Sequence, residues 1–333
     1  MFFGEVRVEA AEGAILAHSE ELPVGRLRKG VILGPAEIAL LQAAGITQVT
    51  VARLEPGDVG EDAAAARLAK ALVPNPAGQG LSVGTAFTGR VNLNAALPGI
   101  VDIDADAIHR LNRIDPAITL ACLPQHHRVA PGQLVGTVKI ISYAVAEAAL
   151  AAACAVAAVA IRIRPVVLKS AGLVLTETAG MDAKLIAKGR RATEGRLRAL
   201  GIRLAEVAVV PHETVAIAGA LRSLPGDMLL VLTGSATSDL QDTAPQAVRA
   251  AGGTVFRFGM PVDPGNLLFH GRLDDRPVIG LPGCARSPAL NGADWILERY
   301  ACGLMISDDD IAAMGVGGLL KEIPLRPQLR EPD

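Results

Sequence analysis

The chain has 333 residues, half of them hydrophobic, and its 32 Lys and Arg residues nearly balance its 34 Asp and Glu residues. This length and hydrophobicity favour two or three folded domains and argue against extensive disorder. Because charge is balanced and aromatic residues make up only 3% of the chain, we expect it to bind neither nucleic acid nor a membrane.

Cysteine usage and the start of the chain predict a cytoplasmic protein. The four cysteines lie far apart with no C-x-x-C pair, which is typical of reduced thiols rather than of disulfides or a zinc site. The first residues, MFFGEVRVEAAEG, lack a basic region followed by a long apolar run, so they do not form a signal peptide. The Ala-rich stretch 144–161 contains Glu147 and runs into Arg162, which favours a buried helix over a membrane span.

Small modules are predicted for the first half of the chain. Residues 35–44 have apolar residues at helical spacing between a first-turn proline and Gly45, and residues 48–54 form a strand-like run. We therefore expect a small α/β module over 1–80. Short β-branched runs broken by Gly and Pro then predict a mixed, mostly β module over 81–164, with a helix near 105–112 and the Ala-rich helix.

Strands and helices alternate after Arg164, which predicts an α/β fold with a doubly wound, mainly parallel sheet over 165–316 and a Pro-rich tail over 317–333. The predicted strands are 166–170, 206–210, 228–232, 254–258 and 277–281. The predicted helices are 182–200, 212–223, 243–251 and 287–302.

Two polar loops follow predicted strands of this sheet, and the carboxyl ends of parallel strands share one edge. The first loop, residues 233–242, contains a glycine, several hydroxyl-bearing residues and Asp242, and it precedes a predicted helix. At the start of a helix an anion can accept hydrogen bonds from main-chain N–H groups and is stabilised by the helix dipole. Asp242 could equally be only the N-cap of that helix. The second loop, residues 281–287, places Arg286 near a predicted helix start, where it suits a phosphate, although a solvated surface arginine is the common alternative.

Four motifs of the last third occur in a fixed order: TGSATSDLQD, RAAGG, VDPGNL and GLPGCARSP. In order and spacing they resemble the molybdopterin-binding domain of molybdopterin molybdotransferases and their single-domain relatives. That family has a T-G-G-(V/A)-S-x-G-x-x-D loop, a helix ending in G-G, a K-P-G-K-P segment and a G-L-P-G-N-P loop. The likeness is fainter over 165–230 and around 32–51, where LGPAEIALLQAAGITQV is similar to a segment that precedes the domain.

The resemblance implies molybdopterin as ligand, a pyranopterin with a dithiolene and a terminal phosphate. By position, Asp242 would be the functional carboxylate and metal ligand. The remaining site residues would come from the two loops and from VDPGNL. They are Thr233, Gly234, Ser235, Thr237, Asp239, Asp263, Gly265, Pro282, Gly283, Cys284, Arg286 and Ser287.

Departures from the family pattern concern charge. Asp263 and Asn266 stand where the family has two lysines, which removes cations that could attract molybdate. Ser170-Ala-Gly-Leu-Val-Leu stands where the family has an acidic S-T-G-D-E-L segment after the first strand, so a carboxylate pair is expected to be missing. Cys284 replaces an asparagine near a helix start that could lower the pKa of a thiol, but a small residue packing in a turn is the favoured interpretation.

We therefore expect a protein that binds molybdopterin or the molybdenum cofactor in its biosynthesis, maturation or delivery. It would form a homo-oligomer and present the ligand to other cofactor-processing proteins or to molybdoenzymes. One alternative is a molybdotransferase-like enzyme in which Asp242 and Asp239 hold Mg²⁺ during metal or adenylyl transfer. A second alternative is an α/β interaction protein without pterin.

Overall fold

The computed structural model describes residues 1–23 and 25–320 and divides the chain into two compact units, Met1–Arg164 and the residues from Pro165 onward. The predicted division of the first unit near residue 80 stays a prediction. Most of the predicted Pro-rich tail, from residue 321 onward, lies outside the described residues.

The first unit consists of small sheets and helices around two apolar cores. Its strands are β1 (Phe2–Arg7), β2 (Ile15–Leu16), β3 (Glu20–Leu22), β4 (Gly25–Leu27), β5 (Gln48–Arg53), β6 (Asp58–Gly60), β7 (Leu81–Val83), β8 (Arg90–Ala95), β9 (Gly99–Ile103), β10 (Ile118–Cys122), β11 (Arg128–Val129), β12 (Leu134–Ile140), β13 (Ala144–Ala146) and β14 (Ile161–Pro165). Its helices are α1 (Pro35–Ala43), α2 (Glu61–Leu72), α3 (Pro76–Gln79), α4 (Ala105–Ile114) and α5 (Glu147–Ala157), with a 3₁₀ turn at Val8–Ala10. The larger core includes Leu68, Leu93, Leu111 and Leu150, and the smaller one Leu16, Leu41 and Val51.

The sequence predicts α1, β5 and α4 to within a few residues, but the Ala-rich stretch differs. Its helix, α5, is shorter than predicted because β13 and β14 take the two ends of the stretch. This helix, which the sequence favours over a membrane span, is buried along one side, through residues such as Leu150, Ala153 and Ala157. Small alanines allow this helix to lie close to α2 and α4 in the larger core. No helix in 1–23 or 25–320 combines the length and apolar character that a bilayer crossing requires.

The second unit is built on a six-stranded sheet with the order β16-β15-β17-β20-β19-β18. Its strands are β15 (Ser170–Glu177), β16 (Arg203–Pro211), β17 (Met228–Leu232), β18 (Thr254–Phe258), β19 (Phe269–Leu273) and β20 (Arg276–Leu281). Its helices are α6 (Ala183–Ala199), α7 (Thr214–Ser223), α8 (Thr243–Ala250), α9 (Gly292–Ala301) and α10 (Asp308–Ala313), with a 3₁₀ turn at Gly283–Arg286.

The predicted doubly wound, mainly parallel α/β fold is confirmed for this unit. Strands β16, β15, β17 and β20 are parallel, whereas β19 and β18 add an antiparallel edge. The central strand β17 is buried along its whole length, as expected for a strand covered on both faces. Residues of α6 and α9 pack on one face and residues of α7 and α8 on the other. This arrangement delivers the loops after β15, β16, β17 and β20 to one edge, which we call the carboxyl edge.

Two predicted elements of the second unit were misplaced, and one strand was missed. The strand predicted at 166–170 is β15, which begins four residues later and spans Ser170–Glu177. Gly172 lies inside this strand, and glycine is needed there because a Cβ would come within 2.7 Å of the carbonyl oxygen of Pro225. Strand β19 was missed because Gly271 interrupts its apolar pattern, and a Cβ at Gly271 would lie 2.1 Å from the carbonyl oxygen of Thr254. Helix α9 begins at Gly292, not at residue 287.

Two glycines of the second unit give opposite expectations for substitution by alanine. Gly195 lies inside α6 with no atom within 4 Å of its would-be Cβ, so Gly195→Ala should raise the free energy of unfolding by about 0.5–1 kcal/mol. A Cβ at Gly280 on β20 would lie 1.9 Å from the ring of buried Phe269, so Gly280→Ala should lower the free energy of unfolding by about 1–3 kcal/mol. Denaturant titration of both variants checks the signs, and a stabilised Gly280→Ala protein would contradict the packing of β19 on β20.

Candidate ligand-binding site

The first and second loops meet at the carboxyl edge because β17 and β20 are neighbouring parallel strands. Leu232 pairs with Leu281 at the last residues of the two strands, so both loops leave the sheet side by side. The side chain of Arg286 joins them: its Nη2 donates a hydrogen bond to the main-chain carbonyl of Thr233. The sequence-based expectation that two loops open onto one place on the sheet edge is therefore met in this geometry.

Arg286 is half-buried at this junction. Burial lowers the pKa of its guanidinium, because the charged group has lost part of its hydration. Within 1–23 and 25–320, no carboxylate forms an ion pair with Arg286. Its hydrogen-bond acceptor, the neutral carbonyl of Thr233, satisfies a single N–H group and leaves the positive charge without a counter-charge.

A buried arginine of α6 shapes the second loop. Arg196 is 8% exposed, and its guanidinium donates to the carbonyls of Ala285 at 2.7 Å, Ser287 at 2.8 Å and Ala289 at 2.9 Å. Its Nε donates to Asp294 Oδ1 at 2.7 Å. Asp294 in turn belongs to the capping box of α9, where its Oδ2 accepts from the N–H of Asn291 at 2.9 Å. These bonds hold 287–289, directly after the 3₁₀ turn, in a non-helical conformation, which explains why α9 begins later than predicted.

The start of the first loop is fixed by a hydrogen-bonded chain across three strand ends. The N–H of Gly234 donates to Thr176 Oγ1 at 2.7 Å, and Thr176 Oγ1 lies 2.9 Å from His212 Nδ1. The main-chain N–H of His212 donates to the main-chain carbonyl of Glu177 at 2.9 Å. A Cβ at Gly234 would lie 2.8 Å from the carbonyl oxygen of Thr176, so only glycine fits. Thr233 and Thr237 are buried and Ser235 is exposed.

Sequence reasoning missed Thr176 and His212. Thr176 was missed because β15 was placed too early, so its carboxyl end was not recognised. His212 follows a correctly predicted strand, and that position was the available signal, since side chains directly after parallel strands face the ligand edge in such sheets.

Asp242 is the N-cap of α8 in this structure. Its Oδ1 accepts from the N–H of Thr243 at 2.7 Å and its Oδ2 from the N–H of Ser238 at 2.9 Å. The bond from Ser238, followed by the bond from Thr243 and the nearby charge of His212, lowers the pKa of Asp242. Asp239 is exposed and accepts from the N–H of Gln241 at 2.7 Å. The carboxylate of Asp242 therefore lies at the amino end of α8, where the helix dipole is positive and where the sequence predicts an anion of the ligand.

The predicted site residues around 263–265 lie beside the second loop. The N–H of Gly292 donates to the carbonyl of Pro264 at 2.8 Å, and a Cβ at Gly265 would come within 2.6 Å of that Gly292 nitrogen. Gly265 also has a φ of 145°, so glycine is required here. Asp263 is exposed, and its charge acts on the thiol of Cys284.

One expectation about the second loop was wrong. Arg286 and Cys284 lie in the short 3₁₀ turn Gly283–Arg286 and not at the start of a long helix. The pKa of Cys284 is raised, chiefly by partial burial of the thiol. Pro282 is buried, Gly283 is exposed and Ser287 is half-buried.

Acidic residues expected to be missing are present at the carboxyl edge. Because Ser170–Glu177 is the strand itself, Glu177 lies at its carboxyl end and Asp182 lies in the segment that follows it. Both residues are exposed, and Asp182 caps α6 by accepting from the N–H of Lys184 at 2.8 Å. Across the described parts of the chain, no group of three or more His, Cys, Asp or Glu side chains is arranged to hold a metal ion.

A cleft of about 270 Å³ lies elsewhere, at the amino end of the parallel strands. Leu168, Phe256, Arg272, Tyr300 and Met305 are among the residues that line it. Asp227 at its margin accepts from the N–H groups of Lys169 and Ser170, at 2.7 Å and 2.9 Å, which joins the starts of β15 and β17. None of the predicted site residues lines this cleft.

Comparison with known proteins gives one short family match and structural similarities of low TM-score. A family model described as a domain of unknown function (DUF8806) matches residues 5–53, and no curated protein matches. The molybdopterin biosynthesis MoeA protein from Pyrococcus horikosii is 13% identical over 91% of this chain and 76% of that chain, with a TM-score of 0.31.

Two other solved structures are similar at the same low level. A molybdenum cofactor biosynthesis protein from Pyrococcus furiosus is 11% identical over 94% of this chain, with a TM-score of 0.23, and this chain covers 65% of its length. The molybdopterin biosynthesis enzyme MoaB from Thermus thermophilus is 16% identical over 46% of this chain and 99% of its own, with a TM-score of 0.28. Similarities this weak assign no function, so a function has to be argued from the residues of the site.

Arg196→Met should destabilise the second unit strongly. The substitution leaves Asp294 as a buried charge and the carbonyls of Ala285 and Ser287 without donors, so the free energy of unfolding should fall by about 3–5 kcal/mol. Arg198→Met, at an exposed position of the same helix, should stay within about 0.5 kcal/mol of the parent. Equal losses in denaturant titrations of the two variants would contradict the role given to Arg196.

Asp242→Asn should show the pH dependence of a charged cap. An amide retains only one acceptor oxygen, so at neutral pH the variant should be less stable than the parent by about 0.5–2 kcal/mol. Because the folded pKa of Asp242 is lowered, its contribution is fully present above the unfolded pKa of about 3.9 and is lost as pH falls through the folded pKa. The difference should therefore shrink below about pH 4. Asp239→Asn is the control, and a difference independent of pH would count against a charged cap.

Proposed function

We propose that the second unit binds molybdopterin or the molybdenum cofactor at the carboxyl edge, in the biosynthesis, maturation or delivery of that cofactor. One observation carries the proposal: Arg286 is half-buried where the first and second loops meet, and no carboxylate in the described ranges pairs with it. The ordered motifs TGSATSDLQD, VDPGNL and GLPGCARSP support pterin as the ligand class.

The physical argument begins with the cost of burying a charge. A guanidinium that has lost hydration without gaining an anion destabilises the protein, and the lowered pKa of Arg286 expresses that cost. An anionic ligand would supply the missing charge, and Arg can bond two phosphate oxygens at once. With Asp242 occupying the amino end of α8, Arg286 is the residue best placed to attract the phosphate of a pterin ligand.

The other loop residues suit the remainder of such a ligand. The exposed Gly283 leaves main-chain surface uncovered, and the exposed hydroxyl of Ser235 supplies a hydrogen bond donor and acceptor. Gly265 lets its segment approach the amino end of α9 closely, so 263–265 forms a further wall beside the second loop. When bound, molybdopterin would supply a dithiolene that holds molybdenum.

Binding and presentation are favoured over catalysis of metal insertion. Asp263 stands where the molybdotransferases have a lysine, so this wall carries a negative charge that repels molybdate. Both oxygens of Asp242 accept main-chain N–H groups, and a metal would compete with those bonds. The partners would be other cofactor-processing proteins or molybdoenzymes, and the protein would act as a homo-oligomer.

A molybdotransferase-like activity remains the second candidate because of one specific observation. Glu177 ends β15 and Asp182 follows it, at the same edge as Asp239 and Asp242, so the edge contains carboxylates that could hold Mg²⁺ beside a ligand phosphate. Turnover of ATP or molybdate by the purified protein would favour this candidate over binding and presentation.

Protein isolated from cofactor-producing cells should carry a pterin that depends on Arg286. Acid-iodine oxidation should release a fluorescent pterin derivative from the parent. Because the lost bond is charge-assisted and worth about 1.5–3 kcal/mol, Arg286→Ala should bind the ligand roughly ten-fold or more weakly. Arg198→Ala, which removes an exposed arginine of α6, is the matched control.

The outcomes of that experiment separate the possibilities. No pterin above the level of a control protein, after repeated preparations and added precursor, would overturn the proposal. Pterin bound equally by the parent and a folded Arg286→Ala protein would retain the ligand but remove Arg286 from its site.

Lysine substitutions at Asp263 and Asn266 should raise the affinity of the protein for molybdate. Both side chains are exposed, so Asp263→Lys combined with Asn266→Lys should be tolerated by the fold and should attract the oxyanion. Equilibrium dialysis with molybdate at low and high salt measures the effect, which should weaken as salt screens the charges. Asp309→Lys combined with Ala312→Lys, at exposed positions of α10, gives the same change in net charge and is the control, and equal gains in the two proteins would contradict a local effect.

A further inference from the structure

His212 and Thr176 form a connected pair at the carboxyl edge that none of the motifs includes. Thr176 is fully buried at the end of β15, and His212 is half-buried immediately after β16. His212 Nδ1 lies 2.9 Å from Thr176 Oγ1, which also accepts the N–H of Gly234 at 2.7 Å. The pair thereby touches the first residues of the first loop.

The hydroxyl of Thr176 determines which imidazole nitrogen carries the proton. Because Oγ1 already accepts from Gly234, its own hydrogen needs an acceptor, and His212 Nδ1 is the acceptor within reach. If Nδ1 carried the proton instead, the buried hydroxyl of Thr176 would lose its acceptor, which is unfavourable for a group with no access to water. The bond therefore favours the imidazole tautomer that carries its proton on Nε2.

The Nε2–H group of His212 belongs to the same part of the edge as Asp242. The imidazole of His212 lies close enough to Asp242 that an imidazolium there would lower the pKa of that carboxyl. The main-chain N–H of His212 donates to the main-chain carbonyl of Glu177, which fixes the main chain at the end of β15. With Nδ1 engaged by Thr176, Nε2 is the ring atom that remains to meet a ligand beside the first loop.

We propose that Thr176 is a positioning residue that holds His212 as the Nε2–H tautomer, and that this Nε2–H donates a hydrogen bond to an oxygen acceptor of the ligand at the carboxyl edge. The contact with a pterin ligand rests on the proposed function, whereas the tautomer is a property of the protein alone. A neutral donor adds specificity for an oxygen acceptor without adding charge, which complements the cation of Arg286 on the second loop.

The tautomer can be measured without any ligand. In ¹⁵N spectra of histidine-labelled protein at a pH where His212 is neutral, Nε2 of His212 should resonate as a protonated nitrogen and Nδ1 as an unprotonated one. Comparison with His212→Gln identifies the signals. Thr176→Val removes the hydroxyl at nearly constant shape and should mix the tautomers, and Thr176→Ser should restore the parent spectrum. A protonated Nδ1 in the parent would overturn the inference.

The ligand contact is tested by equilibrium dialysis with molybdopterin freshly released from a denatured molybdoenzyme. Loss of one neutral hydrogen bond should weaken binding by His212→Ala roughly three- to ten-fold. His109→Ala, at an exposed histidine of the first unit, should bind as the parent does. Parent-like binding by a folded His212→Ala protein overturns the inference alone. Absence of binding by the parent overturns the ligand contact together with the proposed function, and the spectra still decide the role of Thr176.

Discussion

The buried ion pair between Arg196 and Asp294 is the interaction on which the rest of the site depends. Arg196 satisfies carbonyls of the second loop that would otherwise be buried without donors, and Asp294 closes the cap of α9. One guanidinium thus joins α6, the second loop and the start of α9. Because a charge without its partner is costly in this environment, the pair enforces a single arrangement of 285–291 and places Arg286 against the carbonyl of Thr233.

The two sides of the carboxyl edge are built by different means. The second loop is fixed by hydrogen bonds from the charged side chain of Arg196 to its carbonyls. The first loop is fixed by hydrogen bonds among Thr176, His212 and Gly234 and by the bonds that both oxygens of Asp242 accept. The side chains of these loops are therefore mostly neutral or acidic, and the partly dehydrated guanidinium of Arg286 lies where the two loops meet. Such an edge suits a ligand with one anionic group and a larger neutral body, and it suits a free oxyanion such as molybdate less well.

Hydrophobic periodicity predicts most of the second unit because its strands are continuous apolar runs and its helices are amphipathic, as in β17 and α6. It fails where glycine serves close packing inside a strand: Gly172 suggested a turn and concealed the true end of β15, and Gly271 concealed β19. Loop chemistry brings attention to Arg286, and the family resemblance adds Gly265. Loop chemistry leaves open whether Asp242 is only the N-cap of α8, although both bonding partners of that carboxylate are close in sequence. It does not predict that Arg196 delays α9, because the carbonyls that Arg196 binds are distant in sequence.

The most direct test of the account is hydrogen exchange of the main-chain amides with and without molybdopterin. If the ligand binds between the two loops, residues 233–242 and 281–287 should gain protection together, with a smaller gain at 263–266. The amides around the cleft at the amino end of the strands should not change. Protection that appears only at that cleft, or in one loop without the other, would contradict a shared site at the carboxyl edge.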